Sequence, residues 1–230
     1  MENLTGIVVI VGGYGSGKTE ISINLAMHRR RDGIKVCIAD LDLVNPYFRT
    51  REAKKTLSNL GIDVVIPPEQ YLQADLPILT PAVSGLIRRP SGLVIIDAGG
   101  NNVGAKVLAA LSDALRGKPV HMLQVVNPFR PFTDTLTGCI KMREEIDKAS
   151  RMRIGGIIGN ANLMEETTRD SIYYGYDFVR SFSEKSGLPL EFITIESGIL
   201  PKVDIKRFSC QVLPLARQLV PPWQKAAGVG

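Results

Sequence analysis

The sequence predicts one α/β domain, built on a single, mostly parallel sheet of about seven strands whose two faces are covered by helices. Runs of about five or six apolar residues alternate along the chain with segments in which apolar residues recur at helical spacing. These runs are continuous, which is typical of parallel strands that are buried on both faces. The chain of 230 residues suits one such domain, so we predict a domain over 1–220 and a loose tail over 221–230.

The predicted elements follow one another in a regular strand–helix order. Strands are predicted at 7–11, 34–39, 62–66, 92–97, 120–126, 154–159 and 190–195. Helices are predicted at 20–31, 51–60, 83–87, 103–116, 132–150, 172–186 and 203–219. The proline-rich stretch 67–81 is predicted to make a surface excursion, and Pro214 to bend the last helix.

The stretch Gly12–Thr19, GGYGSGKT, fits the pattern GxxxxGKT and lies between an apolar run and a helical segment. A phosphate-binding loop requires this context, because glycines let the backbone turn its N–H groups towards an anion and the helix start adds more. We expect Lys18 to reach the β- and γ-phosphates and the Thr19 hydroxyl to bind Mg²⁺. The residues predicted to contact a nucleotide here are Gly13, Tyr14, Gly15, Ser16, Gly17, Lys18, Thr19 and Glu20.

Carboxylates follow two of the predicted strands, at the edge where parallel sheets bind ligands. Asp97 ends the fourth strand and is predicted to hold water on Mg²⁺, the alternative being a turn or helix-capping residue. Asp40 and Asp42 close the second strand, and in an extended chain they point the same way. One of them would then support Mg²⁺ through water while the other orients an attacking water, unless the pair only forms a turn.

The sequence from Asp97 to Gly100 also satisfies the pattern DxxG. After a strand and downstream of GxxxxGKT, this pattern predicts that the backbone amides of Gly99 and Gly100 contact the γ-phosphate.

Composition narrows the classes of function. The net charge of +5 is dispersed apart from short clusters at predicted helix ends, so a nucleic-acid partner is not expected. The three cysteines lie far apart and indicate neither a metal site nor a disulfide framework. No apolar run is long enough to span a bilayer and no leader segment is evident, so we expect a cytoplasmic protein without membrane attachment.

Four stretches together resemble the MinD/ParA branch of the P-loop NTPases, in the SIMIBI class, which also includes dethiobiotin synthetase and cobyrinate amidases. They are GGYGSGKT, the strand ending ADLD at Asp42, the strand ending in DAGG at Gly100, and GIIGN ending at Asn160. The resemblance implies a P-loop NTPase fold in which the strand before Asp97 lies beside the strand before the loop. It implies that Asp42 positions the hydrolytic water, and that Asn160 and the loop from Glu196 to Pro201 contact an adenine base. Of the carboxylate pair, Asp40 is then the one predicted to support Mg²⁺ through water.

One position departs from the resemblance. MinD and ParA proteins carry a signature lysine where this chain has Gly13, and that lysine serves a dimer that encloses the nucleotide. A homodimer is therefore left open. Arg49 or Arg51 would supply a cation across it, unless these residues only lie at a solvated helix start.

The function implied is a Mg²⁺-dependent ATPase that acts as a molecular switch on a protein partner. The alternatives are an ATP-dependent ligase or small-molecule kinase that resembles dethiobiotin synthetase, and a module that binds nucleotide without hydrolysis.

Overall fold

The computed structural model describes residues 1, 3–42, 50–66 and 81–219, in which eight strands form one sheet. The strands are β1 Ile7–Gly12, β2 Val36–Leu41, β3 Asp63–Val65, β4 Leu93–Ala98, β5 Val120–Val126, β6 Gly156–Gly159, β7 Leu190–Glu196 and β8 Gln211–Leu215. The α-helices of the described part are α1 Lys18–Arg31, α2 Lys54–Asn59, α3 Pro81–Arg88, α4 Asn101–Leu115, α5 Leu136–Ser150 and α6 Arg169–Ser186. The predicted tail at 221–230 and most of the predicted excursion at 67–81 lie outside the described residues.

The strands are arranged in the order β3-β2-β4-β1-β5-β6-β7-β8, and every neighbouring pair is parallel. β1 lies between β4 and β5, so the loop after β1 emerges at the centre of the sheet. The register places Asp97 opposite both Ile10 and Asp40, which aligns the carboxyl ends of β1, β2 and β4. The topology therefore assembles one site from sequence-distant strand ends, as open parallel sheets do.

Both faces of the sheet are covered. On β1, Val8 and Ile10 pack in a core that contains Ile21 and Leu25 of α1. The alternate β1 residues belong to a second core, which contains residues of α3, α4 and α5. A third core lies between β5–β7 and the helices α5 and α6, with Phe182 fully buried in it. This arrangement confirms the doubly covered α/β sheet.

The prediction of a last helix at 203–219 is wrong, and the sheet has one more strand than predicted. β8 occupies Gln211–Leu215 and, among the described strands, pairs with β7 alone, at the edge of the sheet. Leu213 and Leu215 are buried whereas Pro214 between them is exposed, which is the alternation of a strand with one buried face. Proline lacks the N–H that a central strand needs, and an edge strand tolerates it, so Pro214 does not bend a helix here.

Helix boundaries differ from the prediction where capping residues set them. The helix expected from 132 begins at Leu136, because Thr135 caps it by accepting a hydrogen bond from the Gly138 N–H. The helix expected from 172 begins at Arg169 behind a capping box formed by Thr168 and Ser171, and it ends at Gly187. No helix within the described residues is long and apolar enough to cross a membrane.

Candidate nucleotide-binding site

The loop between β1 and α1 has the backbone that its glycines permit. Gly12 has φ of +146° and Gly17 has φ of +94°, and a Cβ at Gly12 would lie 2.6 Å from the Val125 carbonyl oxygen. Gly17 caps α1 without any side-chain hydrogen bond, so no side chain of the cap residue occupies the N–H groups of the first helical turn. These N–H groups, at the positive end of a helix of 14 residues, are suited to hold an anion.

Lys18 lies back over this loop. Its Nζ donates a 2.9 Å hydrogen bond to the Gly13 carbonyl, and the side chain is buried. Burial lowers the pKa of Lys18, and the charges of Asp97 and Asp42 oppose that shift. The sequence-distant carboxylates and this lysine therefore share one electrostatic environment.

Asp97 is fully buried at the end of β4, beside the loop strand. Its Oδ2 accepts a 2.9 Å hydrogen bond from the hydroxyl of Thr50, which is itself fully buried. Burial and the neighbouring charge of Asp40 raise the pKa of Asp97 to about 7, while the hydroxyls of Thr50 and Thr19 and the charge of Lys18 lower it. Among the residues that the structure describes, nothing donates to Oδ1 of Asp97.

Asp40 is paired within the protein. Its Oδ2 accepts from the backbone N–H of Arg51 at 3.2 Å and from Nε of the same arginine at 3.1 Å. Its Oδ1 accepts from the backbone N–H of Asp42 at 3.2 Å. Burial raises the pKa of Asp40, and Arg51 opposes the shift. Asp40 thus holds Arg51 and the turn at Asp42 in place, and Arg51, considered from the sequence as a cation in trans, is engaged in cis.

The turn after β4 packs tightly against the same cluster. A Cβ at Gly99 would lie 2.9 Å from Oδ1 of Asp42. A Cβ at Gly100 would lie 3.2 Å from both Nζ of Lys18 and the backbone N of Tyr14. Both glycines therefore lie against Asp42, Lys18 and the loop backbone, the groups expected to surround the γ-phosphate.

A cavity of about 250 Å³ opens between the loop and the ends of β6, β7 and β8. Its walls come from the phosphate-binding loop and from segments far along the chain. The lining residues are Tyr14, Gly15, Gly17, Lys18, Thr19, Glu20, Asp42, Asn127, Arg130, Asn160, Asn162, Met164, Glu196, Leu215, Arg217 and Leu219.

Of three further residues predicted to contact nucleotide, two line the cavity but are hydrogen-bonded within the protein, and one lies outside the cavity lining. Asn160 lines the cavity, but its Nδ2 donates to the Ser16 carbonyl at 2.7 Å and its Oδ1 accepts from the Thr194 hydroxyl at 2.7 Å. Pro201 is exposed in a 3₁₀ turn and is absent from the cavity lining, although Glu196 belongs to it. Glu20 lines the cavity and accepts backbone hydrogen bonds from Gln218 and Leu219.

The arrangement fits a phosphate chain with Mg²⁺. Three buried side-chain oxygens in the described part of the chain have no hydrogen-bond partner, and two of them, Oγ of Ser16 and Oδ1 of Asp97, belong to predicted site residues; the third is Oε1 of Gln124. A buried polar atom needs a partner. No group of three or more His, Cys, Asp or Glu among the described residues is placed to hold a metal ion. The Thr19 hydroxyl and Oδ1 of Asp97 are oxygen donors of the kind that Mg²⁺ takes, together with phosphate oxygens and water.

Sequence reasoning missed several residues of the site. Arg130 lines the cavity and donates from Nε to the Gly15 carbonyl at 3.2 Å, and Asn127 stands three residues before it. Both follow β5, so the rule that ligands bind at strand ends was a signal for them. Thr50 and Arg217 belong to no sequence motif, and they reach the site only because of the way the chain folds.

No protein-family model matches the chain, and no curated protein matches it. Several solved structures do match the chain. The cell division protein FtsY of Thermotoga maritima is 21% identical with a TM-score of 0.60, over 82% of this chain and 61% of that one. Chloroplast FtsY of Physcomitrella patens is 21% identical with a TM-score of 0.58, over 84% of this chain and 59% of that one.

The signal recognition particle 54 kDa protein of Aeropyrum pernix, solved in complex with GDP, is 21% identical with a TM-score of 0.54. The match covers 84% of this chain and 42% of that one, so this chain spans about three fifths or less of the structures that it matches. At this identity the likeness shows the fold alone, which is that of the P-loop NTPases. The narrower resemblance to MinD and ParA stays a prediction.

Proposed function

We propose that the chain binds a nucleoside triphosphate with Mg²⁺ at the carboxyl ends of β1, β2 and β4, hydrolyses its γ-phosphate, and acts as a switch on a protein partner. The observation that carries this proposal is the convergence of Lys18, Thr19 and Asp97 on the phosphate-binding loop, with one buried oxygen of Asp97 left unpaired. The fold shared with FtsY and the 54 kDa protein supports it.

Each side chain has a role that follows from its position. Lys18 and the loop amides would hold the phosphates, and Thr19 with Asp97 would hold Mg²⁺, which neutralises phosphate charge when bound. Asp42, buried next to Gly99 and lining the cavity, would orient the attacking water. The crowded backbone at Gly99 and Gly100 would respond to the γ-phosphate. Catalysis by placement and charge alone implies slow turnover until a partner completes the site.

We propose that the base is adenine. The segment from Asn160 to Leu163 lacks the NKxD pattern that binds guanine. The carboxylate of Glu196, at the cavity wall, would accept a hydrogen bond from the exocyclic amine that adenine and guanine both carry, so it would hold a base without selecting between the two. GTP is the competing ligand to test, since one of the matching structures was solved with GDP.

We make no proposal about a homodimer. Gly13, which takes the place of the signature lysine, lies against α5. A Cβ at Gly13 would lie 3.0 Å from Cε of Met142 on α5. A cation at this position is absent, and Arg130 beside Gly15 supplies one from the same chain.

A nucleotide titration tests the proposal. Calorimetry with ATP and with GTP, each in Mg²⁺, should show micromolar or tighter binding of ATP, and Lys18→Ala should weaken it at least a hundredfold because it removes a buried charge from the phosphates. Lys55→Ala, at an exposed position of α2, is the matched control and should bind as wild type does. Equal affinity of Lys18→Ala and wild type would contradict the proposed site.

Phosphate release separates the candidate activities. ATP alone should yield phosphate slowly, and Asp42→Asn should reduce that release without abolishing binding. Release that requires an added metabolite would favour the ligase or kinase, and binding with release at background in both proteins would favour a module that only holds nucleotide.

A further inference from the structure

The segment that follows β8 is attached to α1 through side chains one helical turn apart. Asn24 donates from Nδ2 to the Ala216 carbonyl at 3.1 Å and accepts from the Ala216 N–H at 2.9 Å. Glu20 accepts from the N–H of Gln218 at 2.6 Å and from the N–H of Leu219 at 3.1 Å. Four hydrogen bonds therefore join the helix that begins in the phosphate-binding loop to backbone almost 200 residues away.

The same segment forms a wall of the cavity. Leu215 and Leu219 are buried and line it together with Met164, and Arg217 forms a 2.6 Å ion pair with Glu165 beside this wall. These lining residues come from chain segments outside the phosphate-binding loop. An apolar wall with polar neighbours suits a flat base more than it suits phosphates.

The position of Glu20 also requires explanation. Glu20 directly follows Thr19, so its carboxylate brings negative charge close to where the phosphates would lie. The negative charges of a carboxylate and of phosphates repel each other. Both oxygens of Glu20 are occupied by backbone N–H groups, and Oε1 also accepts from Nδ2 of Asn24 at 3.1 Å. The carboxylate is thereby bonded to the backbone of the wall.

We propose that Asn24 and Glu20 are positioning residues that fix the base-contacting wall at 215–219 to the helix of the phosphate-binding loop. The inference rests on the proposed function. It assigns these side chains to the affinity for the base, separate from the affinity for the phosphates, which the loop supplies. Neither residue takes part in bond breaking.

The test compares a ligand that has a base with one that has none. Calorimetry measures the affinity of the full chain for ATP and for inorganic tripolyphosphate, both with Mg²⁺. Asn24→Ala should bind ATP about tenfold more weakly, since two hydrogen bonds to the wall are lost, and should bind tripolyphosphate as wild type does. Glu20→Gln keeps the size of the side chain and loses one acceptor. It should also lower the ratio of ATP affinity to tripolyphosphate affinity.

Ser22→Ala is the matched control. Ser22 is fully buried on the same helix and donates within it, to the Lys18 carbonyl at 2.9 Å, so the variant perturbs α1 without touching the wall. It should leave the ratio of ATP to tripolyphosphate affinity unchanged. Melting temperatures measured alongside show which variants fold, and Glu20→Gln serves as the test if Asn24→Ala does not fold.

Each outcome is decisive. A folded Asn24→Ala or Glu20→Gln that loses both ligands equally, or loses neither, overturns the inference and leaves the proposed function standing. A wild-type chain that binds neither ATP nor tripolyphosphate overturns the proposed function, and the inference with it.

Discussion

The two carboxylate oxygens of Asp97 differ in their hydrogen bonding. Oδ2 is bonded to the Thr50 hydroxyl, whereas Oδ1 is buried without a partner among the described residues. An unpaired buried carboxylate oxygen is unfavourable, and a metal-bound water would relieve it. Thr50 thus fixes the rotamer that aims Oδ1, although Thr50 has no role in the sequence motif.

Removing the Thr50 hydroxyl should weaken the use of Mg²⁺. Thr50→Val has nearly the same shape and leaves Asp97 with one bond fewer, so the Mg²⁺ concentration for half-maximal phosphate release should rise about tenfold or more, as expected for a lost hydrogen bond to a charged group. Thr50→Ser, which restores a hydroxyl, should return the requirement towards the wild-type value. A Thr50→Val protein with wild-type Mg²⁺ dependence would show that Thr50 does not orient Asp97.

At the scale of elements, the ends of helices are set by caps more than by apolar periodicity. The periodicity of α6 marks its buried face, but the helix begins three residues earlier than that face, at a capping box. Thr168 accepts from the Ser171 N–H at 3.2 Å and Ser171 accepts from the Thr168 N–H at 2.9 Å. Local hydrogen bonds of this kind supply the backbone partners that a helix start lacks.

Removing this cap should destabilise the molecule measurably. Thr168→Ala should lower the free energy of unfolding by about 1 kcal/mol, seen as a lower midpoint in urea with an unchanged slope. Thr168→Ser keeps the acceptor oxygen and is the control, expected to unfold close to wild type. A Thr168→Ala protein that unfolds at the wild-type midpoint would show that this cap does not stabilise α6.

At the scale of the whole molecule, the sequence predicted the parts of the site that local patterns determine. The GKT motif, the carboxylates at strand ends and the continuous apolar strands led to Lys18, Asp97 and the parallel sheet. β8 was missed because a five-residue edge strand containing Pro214 has too short a pattern to separate from a helix.

Contacts between sequence-distant segments had no pattern to reveal them. The hydrogen bond between Thr50 and Asp97 joins residues 47 positions apart, and that between Asn24 and Ala216 joins residues 192 apart. Each depends on strand order and on the direction in which a chain segment leaves the sheet. Both contacts can be explained once the strand order and the chain path are known.

The central proposal is that the loop after β1 binds a triphosphate and that Asp97 holds a water molecule on its Mg²⁺. A crystal structure of the chain with a non-hydrolysable ATP analogue and Mg²⁺ tests this most directly. The account predicts phosphate oxygens within hydrogen-bond distance of the loop N–H groups and of Nζ of Lys18, and Mg²⁺ bound to Thr19 with a water between it and Oδ1 of Asp97. A nucleotide seated elsewhere, or a metal ion too far from Asp97 for one water to bridge, would contradict the account.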